Sequence, residues 1–387
     1  MNKAKEILKN NTMIFALIVV AVFFAWQTNG KLFLPGNVTN LIAQNSYVMI
    51  LATGMLMCIL TGGNIDLSIG SVVAVIGALA GTLIVKLNIP IALSMVICLI
   101  AGILIGAIQG YWIAYLRIPA FIVTLAGMLL WRGLTLIILQ GGKTISFTDE
   151  QTYLNIFNSY IPDVFGGTIN ITAIVLAALI CVVYVVAQLI SRKNKISKGY
   201  KVESLASLIV KTIVVVVAIM VLSYKLAQDT GIPSILIIIA VIVFFYAYFT
   251  TRTVPGRYLY AMGGNEKAAK LSGINTNKVL FFAYVNMAFL SAVAAFVCVA
   301  RFSSSAPTAG MNYELDAIGA CFIGGASAYG GVGKVGGVVI GAIFMGVINM
   351  GMSIMSVDAD MQKLVKGIVL LMAVTFDVLS KKRSKIS

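Results

Sequence analysis

Histidine is absent from this 387-residue chain, and charge is scarce, with Asp, Glu, Lys and Arg together making up 11% of it. Without an imidazole there is no His-based general base and no His-ligated metal or haem. The five cysteines (Cys58, Cys98, Cys181, Cys298 and Cys321) stand far apart, so no C-x-x-C pair exists. Four of them fall inside apolar runs, where cysteine serves as a small core residue; disulfides, zinc and other metals are not expected. A soluble domain carries about 25% charged residues. Here 60% of residues are hydrophobic and mean hydropathy is +1.00, which excludes a soluble protein. The net charge of +15 forms no continuous basic patch interleaved with aromatics, so nucleic acid is not an expected partner.

What the chain does contain is long apolar runs. Each is about 20 residues, enough to cross ~30 Å of hydrocarbon as a helix. Candidate spans lie near 13–28, 41–60, 65–85, 90–116, 119–139 and 170–190. A second set lies near 205–224, 232–250, 278–300, 315–330, 335–356 and 362–379, the tenth being short and glycine-rich. The first follows a basic stretch but no small-residue cleavage site, so it reads as an uncleaved span. Short alternating strands of the β-barrel kind do not occur. The expected fold is an all-α polytopic transmembrane helical bundle of about 10–12 spans.

Basic residues orient it. With the N-terminus inside and twelve crossings, 20 of the 28 Lys and Arg residues fall inside, seven outside, and Arg132 lies within a span. That is the positive-inside pattern, and it puts both termini in the cytoplasm. Residues 1–387 form a single transmembrane domain with two long connections: 140–169 outside, carrying Asp149, Glu150 and Asp163, and 251–277 inside. Arg132 is expected to find a structural partner inside the bundle.

The inner connection reads TRTVPGRYLYAMGGNEKAAKLSGINTN. Pro255 and Gly256 break the preceding span. A short helix fits after Gly264: Asn265 as N-cap, Glu266 and Lys267 in the first turn, then Ala268, Ala269 and Leu271, with Gly273 as the stop. Its small alanine face suits either docking on a soluble partner or packing on its own protein.

The stretch GGNEKAAKLSGI resembles the EAA-type coupling loop of ATP-binding-cassette (ABC) importer permeases, particularly those for ribose, xylose, galactose and related sugars. GGNIDLSIGS (62–71), IPAFIVTLAGMLLWRG (118–133), GACFIGGASAYGGVGKVGGVVIGA (319–342) and VKGIVLLMAV (365–374) agree in order and spacing. The extra basic loop and apolar run near 191–225 resemble the longer branch that includes xylose and multiple-monosaccharide permeases. The resemblance implies a multi-pass protein of the bacterial inner membrane that imports a monosaccharide without a cofactor. Its implied partners are a cytoplasmic ABC ATPase, an external sugar-binding protein, membrane lipid and a second copy of the permease. Gly264, Asn265, Glu266, Ala268, Ala269, Leu271 and Gly273 would couple to the ATPase. Gly62, Gly63, Asp66 and Ser68 mark the family's signature turn.

GGVGKVGG would be a phosphate loop only with glycine at 328 and Ser or Thr at 335; Ala328 and Val335 break the pattern. The chain therefore cannot hydrolyse ATP alone, and ATP hydrolysis is expected on a separate subunit. A membrane-embedded enzyme would need clustered nucleophile, base or metal ligands, which the sequence does not offer, so no enzymatic activity is expected. Gly77/Gly81, Gly102/Gly106/Gly110 and Gly337/Gly341 form small faces for close helix packing. Gln44, Asn45, Asn64, Gln109 and Asn286 are polar groups on or near apolar runs and are candidates for a sugar route. Glu314 and Asp316 are placed near the outer face. Asp66 is read as a cap for a helix over 67–85, with Asn64 as the other candidate. An ion-gradient-driven sugar carrier is the rival function; it needs a titrating residue within the membrane, for which only Asp66, Arg132 and Asp377 come near.

Overall fold

The structure, a computed structural model, describes residues 12–386 apart from 201 and 203. The N-terminal basic stretch at Lys3, Lys5 and Lys9 lies outside the described residues. Those residues form fifteen helices and one two-stranded ribbon. Proline punctuates them as a residue without an N–H should. Pro35 opens α2 (Pro35–Leu60), while Pro90, Pro119 and Pro233 immediately precede α4 (Ile91–Ala114), α5 (Ala120–Ile138) and α9 (Ser234–Arg252).

Among the described residues, nine helices are long and apolar enough to cross a membrane. They are α2, α4, α5 and α9 together with α3 (Ile69–Gly81, extended by a π-turn over Thr82–Lys86), α7 (Ile171–Ser197), α8 (Leu205–Ala227), α12 (Thr276–Phe302) and α14 (Val335–Ile354). α1 (Thr12–Gln27) is apolar but has only 16 residues; Met13 lies against Gly325 and Phe24 against Gly351, so it runs alongside most of α14. α15 (Ala359–Ile386) is 28 residues long but carries Lys363, Lys366 and Asp377.

The tenth pass differs from the expected 315–330. α13 (Tyr313–Ile323) has 11 residues, about 16 Å at 1.5 Å each, too short to cross. The chain instead turns back after α12 and descends beside α3 as a two-residue strand followed by a run of turns. Ser305 Oγ donates to Gly77 O at 2.6 Å, and Gly310 packs backbone to backbone on Gly70. Only then does α13 begin. Residues 303–323 thus pass along the bundle as irregular, turn-rich chain over 303–312 and as helix over Tyr313–Ile323. Residues 324–334 form the connection to α14, at the same end as the C-terminus of α2: Gly331 N donates to Leu60 O.

The core is built from α2, α3 and α12, which are buried along most of their length, with α14 beside them. Close approach is set by small residues, because apolar lipid gives no hydrophobic drive for helices to associate. On α4, Gly102 and Gly106 face Ala292 and Ala288 of α12, with Cβ positions only 2.8 Å from those methyls, and Gly110 faces Phe281. Gly337 and Gly341 of α14 face Gly324 and Ala320 in the same way. These glycines are occupied with packing. By contrast, none of the most apolar stretch of α8 is buried.

The connection 140–169 is folded onto the bundle instead of lying free. Strand β1 (Ile145–Ser146) pairs antiparallel with β2 (Ser304–Ser305). Helix α6 (Gln151–Asn158) buries Tyr153 and Phe157, and Tyr153 Oη donates to Phe296 O at 3.0 Å. At its far end Asp163 accepts from the Thr172 hydroxyl at 2.7 Å and its N–H at 3.0 Å, contacts that hold its carboxyl below the usual carboxylate range.

Candidate functional site

Two features concentrate polar groups, one at an end of the bundle and one inside it. At the end lies α11 (Glu266–Leu271), preceded by α10 (Val254–Gly264). Asn265 caps α11, its side chain accepting from Ala268 N at 3.0 Å, and Gly273 follows at φ +84°. Glu266 turns back to the bundle and pairs with Arg117 at 2.7 Å. Arg117 also donates to Thr276 Oγ1 at 3.2 Å and to Asn277 Oδ1. The expected single alanine face is divided. Ala269 is buried while Ala268 is exposed, because adjacent residues lie about 100° apart around a helix and only i, i+3 and i+4 share a face. Leu271 shares the outer face with Ala268 and is 90% exposed.

Pro255 and Gly256 do not merely end the preceding span; they begin α10. Thr253 is its N-cap, accepting from Gly256 N at 3.1 Å, and Pro255 sits in the first turn, where its missing N–H costs nothing. α10 rests on the bundle through Tyr260, whose Oη donates to Gly333 O at 2.9 Å. Gly263 rests there too: a Cβ at that position would lie 1.8 Å from Leu60 O. The exposed helix is thus seated on the end of α2 and on the 324–334 connection.

Inside, a cavity of about 500 Å³ lies between the middle of α2, the last turns of α12 and α14. Gln44, Asn45, Tyr47, Arg301 and Asn349 contribute its polar groups. Asn45 is 3% exposed; its amide donates to Ala342 O at 2.5 Å, while its Oδ1 has no partner among the described residues. Asn349 Oδ1 is likewise buried and unpartnered. Both oxygens are themselves buried, so although Asn45 and Asn349 line the cavity, its accessible polar groups are chiefly Gln44 and Arg301. Arg301 donates to Asn40 Oδ1 at 3.3 Å.

Beside this cavity is a buried ion pair. Lys366 of α15 lies 2.9 Å from Asp316 of α13, and Asp316 is 2% exposed. Tyr47 Oη reaches the same carboxylate at 3.5 Å and its ring stacks on Tyr313 with centroids 3.9 Å apart. Asp316, expected near the outer surface, is therefore inside the bundle, and so is Lys366. Composition marks neither residue, since they lie 50 positions apart on different helices.

The remaining sequence candidates separate by partner. Of the five proposed route residues, Gln44 and Asn45 line the cavity. Asn64 donates to Thr61 O and Thr61 Oγ1, both at 3.2 Å, and so does not cap the following helix. Gln109 Nε2 donates to Ser68 Oγ at 3.0 Å. Asn286 accepts from Tyr246 Oη and donates to Met57 Sδ at 3.1 Å.

The signature turn is a tight reversal. Gly63 stands at φ +77°, and a Cβ there would lie 2.0 Å from Ala328 O, so neither the dihedral nor the space admits another residue. The following helix begins at Ile69, with Ser68 as N-cap, not at 67. Asp66 precedes that cap and is 1% exposed. Its Oδ1 accepts from Ser68 N at 2.8 Å and from Ser68 Oγ at 2.6 Å. Asp66→Asn keeps that acceptor and will retain near-normal stability. Asp66→Ala strands the buried Ser68 N–H, whose hydroxyl can still turn to Gln109 Oε1 at 3.2 Å, at about 1–3 kcal/mol; comparing their thermal midpoints in detergent checks this. Arg132 donates to Pro307 O at 2.8 Å and Ala309 O at 2.7 Å, fastening α5 to the descending segment.

The family model described as "Branched-chain amino acid transport system / permease component" matches residues 37–188 and 172–374. The xylose transport system permease protein XylH of Escherichia coli K12 is 36% identical over 372 residues, covering 96% of this chain and 92% of that protein. XylH of Haemophilus influenzae is 36% identical over 96% of both chains. The ribose import permease protein RbsC of E. coli K12 is 31% identical over 96% of this chain and 94% of that one. No solved structure gave a significant match. Bacterial relatives and nine apolar helices together make this a multi-pass protein of the inner membrane. The chain belongs to this family of transport-system permease components and is a relative of the sugar permeases XylH and RbsC.

Proposed function

We propose that this chain is the membrane-spanning permease of an ATP-driven importer for a neutral monosaccharide such as a pentose. The observation that carries it is α11, a capped helix standing off the end of the bundle with Leu271 90% exposed, on a chain whose relatives are xylose and ribose permeases. ATP hydrolysis belongs to a separate subunit that receives α11, and a sugar-binding protein delivers substrate at the opposite end. α11 and the other strongly basic loops share one end of the bundle, Arg252 of α9 lying beside Lys195 and Lys198 of α7; that supports a cytoplasmic placement for this end.

The cavity is the segment of the sugar route held by one copy. Gln44 and Arg301 suit hydroxyl groups, and Gln44 is exposed at its mouth, so a second copy facing the first would close it. Force from the ATPase passes through α11 to α10, through Gly263 and Tyr260 to α2 and the 324–334 connection, and along α2 and α13 to Tyr47 and Asp316 at the cavity.

All five cysteines are buried, so Leu271→Cys provides the most accessible thiol. A short bifunctional maleimide will cross-link it to the ATPase subunit in the assembled complex. The same reagent on Lys143→Cys, at the other end, will not. Equal cross-linking at both positions, or none at 271, overturns the docking role. In the cavity, Gln44→Leu removes an exposed polar group and will lower uptake about tenfold, the effect of losing roughly one hydrogen bond's 1.4 kcal/mol, with ATPase activity retained.

An ion-gradient-driven carrier is the second reading. The Asp316–Lys366 pair favours it, since such carriers place ionisable residues within the membrane. Against it, Asp316 is 2% exposed and already neutralised by Lys366.

A further inference from the structure

We propose that Arg301 is a charge filter at the mouth of the sugar route, admitting neutral sugars and keeping cations out. The inference rests on the reading of the 500 Å³ cavity as that route. The cavity is lined by residues 41–47 of α2, which runs from Pro35 to its contact with α10 at Leu60, and by residues 297–302 at the end of α12 remote from α11. It therefore lies in the half of the bundle away from α11, the half that substrate enters.

Arg301 is the one charged residue among the described residues that line this cavity. It makes a long hydrogen bond, 3.3 Å to Asn40 Oδ1, and no carboxylate among the described residues lies within 4 Å of it. Behind Tyr47, Asp316 and Lys366 balance one another at 2.9 Å and add no net charge. A guanidinium is a fixed positive charge with five N–H donors. It thus offers hydrogen bonds to hydroxyl groups and repulsion to cations.

Magnitudes decide whether one charge suffices. Leu41, Val297 and Phe302 make part of the wall apolar, and low-dielectric walls concentrate a field. As a sphere the cavity is about 10 Å across, close to the Debye length at physiological salt, so every ion inside feels the charge. At about 8 Å and an effective dielectric of about 40, between bulk water and a protein surface, one unit charge changes the concentration of a monovalent ion about fivefold. Two facing copies give about twenty-five-fold, comparable with the roughly fiftyfold pull of 100 mV on a cation. The last carbonyls of α12 lie at the same mouth and carry about half a negative charge. Without Arg301 they would draw cations in, and an arginine is a known form of electrostatic barrier in a pore.

The test introduces Gln44→Cys, at the exposed mouth, into the full chain in detergent; the five native cysteines are buried. Modification of residue 44 by trimethylammonium-ethyl and by sulfonatoethyl methanethiosulfonate is followed by peptide mass spectrometry and normalised to a free thiol. With Arg301 present the anionic reagent will react faster. Arg301→Gln will shift the cation-to-anion rate ratio about twenty-five-fold toward the cation, and Arg301→Lys will leave it within twofold. Phe302→Glu, at a 60% exposed position on the cavity wall, keeps Arg301 but neutralises it and will shift the ratio the same way. Lys143→Gln, away from the cavity, will not. In proteoliposomes with the ATPase subunit and the binding protein, Arg301→Gln will lower xylose uptake and raise Na⁺ entry per ATP hydrolysed at least tenfold. A closed or misfolded route cannot move those two readouts in opposite directions.

An unchanged ratio in Arg301→Gln or in Phe302→Glu overturns the proposal, as does an equal shift in Arg301→Lys or Lys143→Gln. Na⁺ entry in Arg301→Gln no higher than in the wild type overturns it as well. Labelling needs neither ATP nor a partner protein, so its outcome is independent of the importer reading. That reading fails on a different result, wild-type xylose uptake that ignores ATP.

Discussion

Replacing Asp316 with leucine while Lys366 remains will destabilise the protein by about 3 kcal/mol, because removing one member of a buried ion pair leaves the other charge uncompensated. The estimate is the low end of the usual 3–5 kcal/mol because the Lys366 side chain keeps 17% exposure through which water can reach it. The double variant D316L/K366M will recover most of the loss, since a buried pair exchanged for apolar residues of similar volume is often neutral or better. Thermal melts of detergent-purified protein measure both. Equal loss in the single and double variants contradicts the pairing. The same experiment has a functional arm. Asp316 contacts Tyr47, which lines the cavity, so if the double variant is as stable as wild type but transports poorly, the carboxylate serves the route as well as the fold.

Gly263→Ala will separate ATP hydrolysis from transport. Its Cβ would stand 1.8 Å from Leu60 O and 2.3 Å from Gly331 N, both main-chain atoms that no rotamer change can move. Overpacking of this kind costs about 1–3 kcal/mol, and here it acts on the seating of α10 and not on the core. Each 1.4 kcal/mol against the seated position is a factor of ten in its population. Transport will therefore fall tenfold or more while the helices still insert. Gly336→Ala, in the first turn of α14 beside the 324–334 connection, has nothing within 4 Å of the added atom and will transport normally. If the two variants behave alike, α10 is not the connecting element. Glu266→Lys is a milder companion. The Arg117–Glu266 pair is half-exposed on both sides and contributes at most about 1 kcal/mol to stability. The variant will insert and fold, but two like charges will drive α11 from its seat and reduce sugar-stimulated ATPase activity.

Most of the bundle could be read from run length alone, since hydrocarbon thickness fixes how many apolar residues a spanning helix needs. The short helix α11 was equally legible, because Asn265 and Gly273 are local signals whose meaning needs no tertiary contact. What escaped was long-range or conformational. Residues 303–312 are polar and rich in serine, and nothing local says that they descend beside α3 against Gly77 and Gly70. Pro255 follows a span and so signals a stop locally, whereas its position two residues after Thr253 makes it part of a start. Asn45 and Gln109 look alike in sequence, each a polar residue in an apolar run. Only the fold gives Gln109 to Ser68 and leaves Asn45 facing the cavity. Asp316 and Lys366 each lie near the end of a span in sequence, and only the meeting of α13 and α15 makes them a pair.

The central claim is that ATP hydrolysis on another subunit drives sugar through this chain. The direct measurement is uptake of radiolabelled xylose and ribose into proteoliposomes containing this chain, its ATPase subunit and its sugar-binding protein. Uptake that requires ATP and the binding protein, and that persists when an ionophore collapses every ion gradient, is the predicted result. Uptake that proceeds without ATP and stops on addition of the ionophore contradicts it.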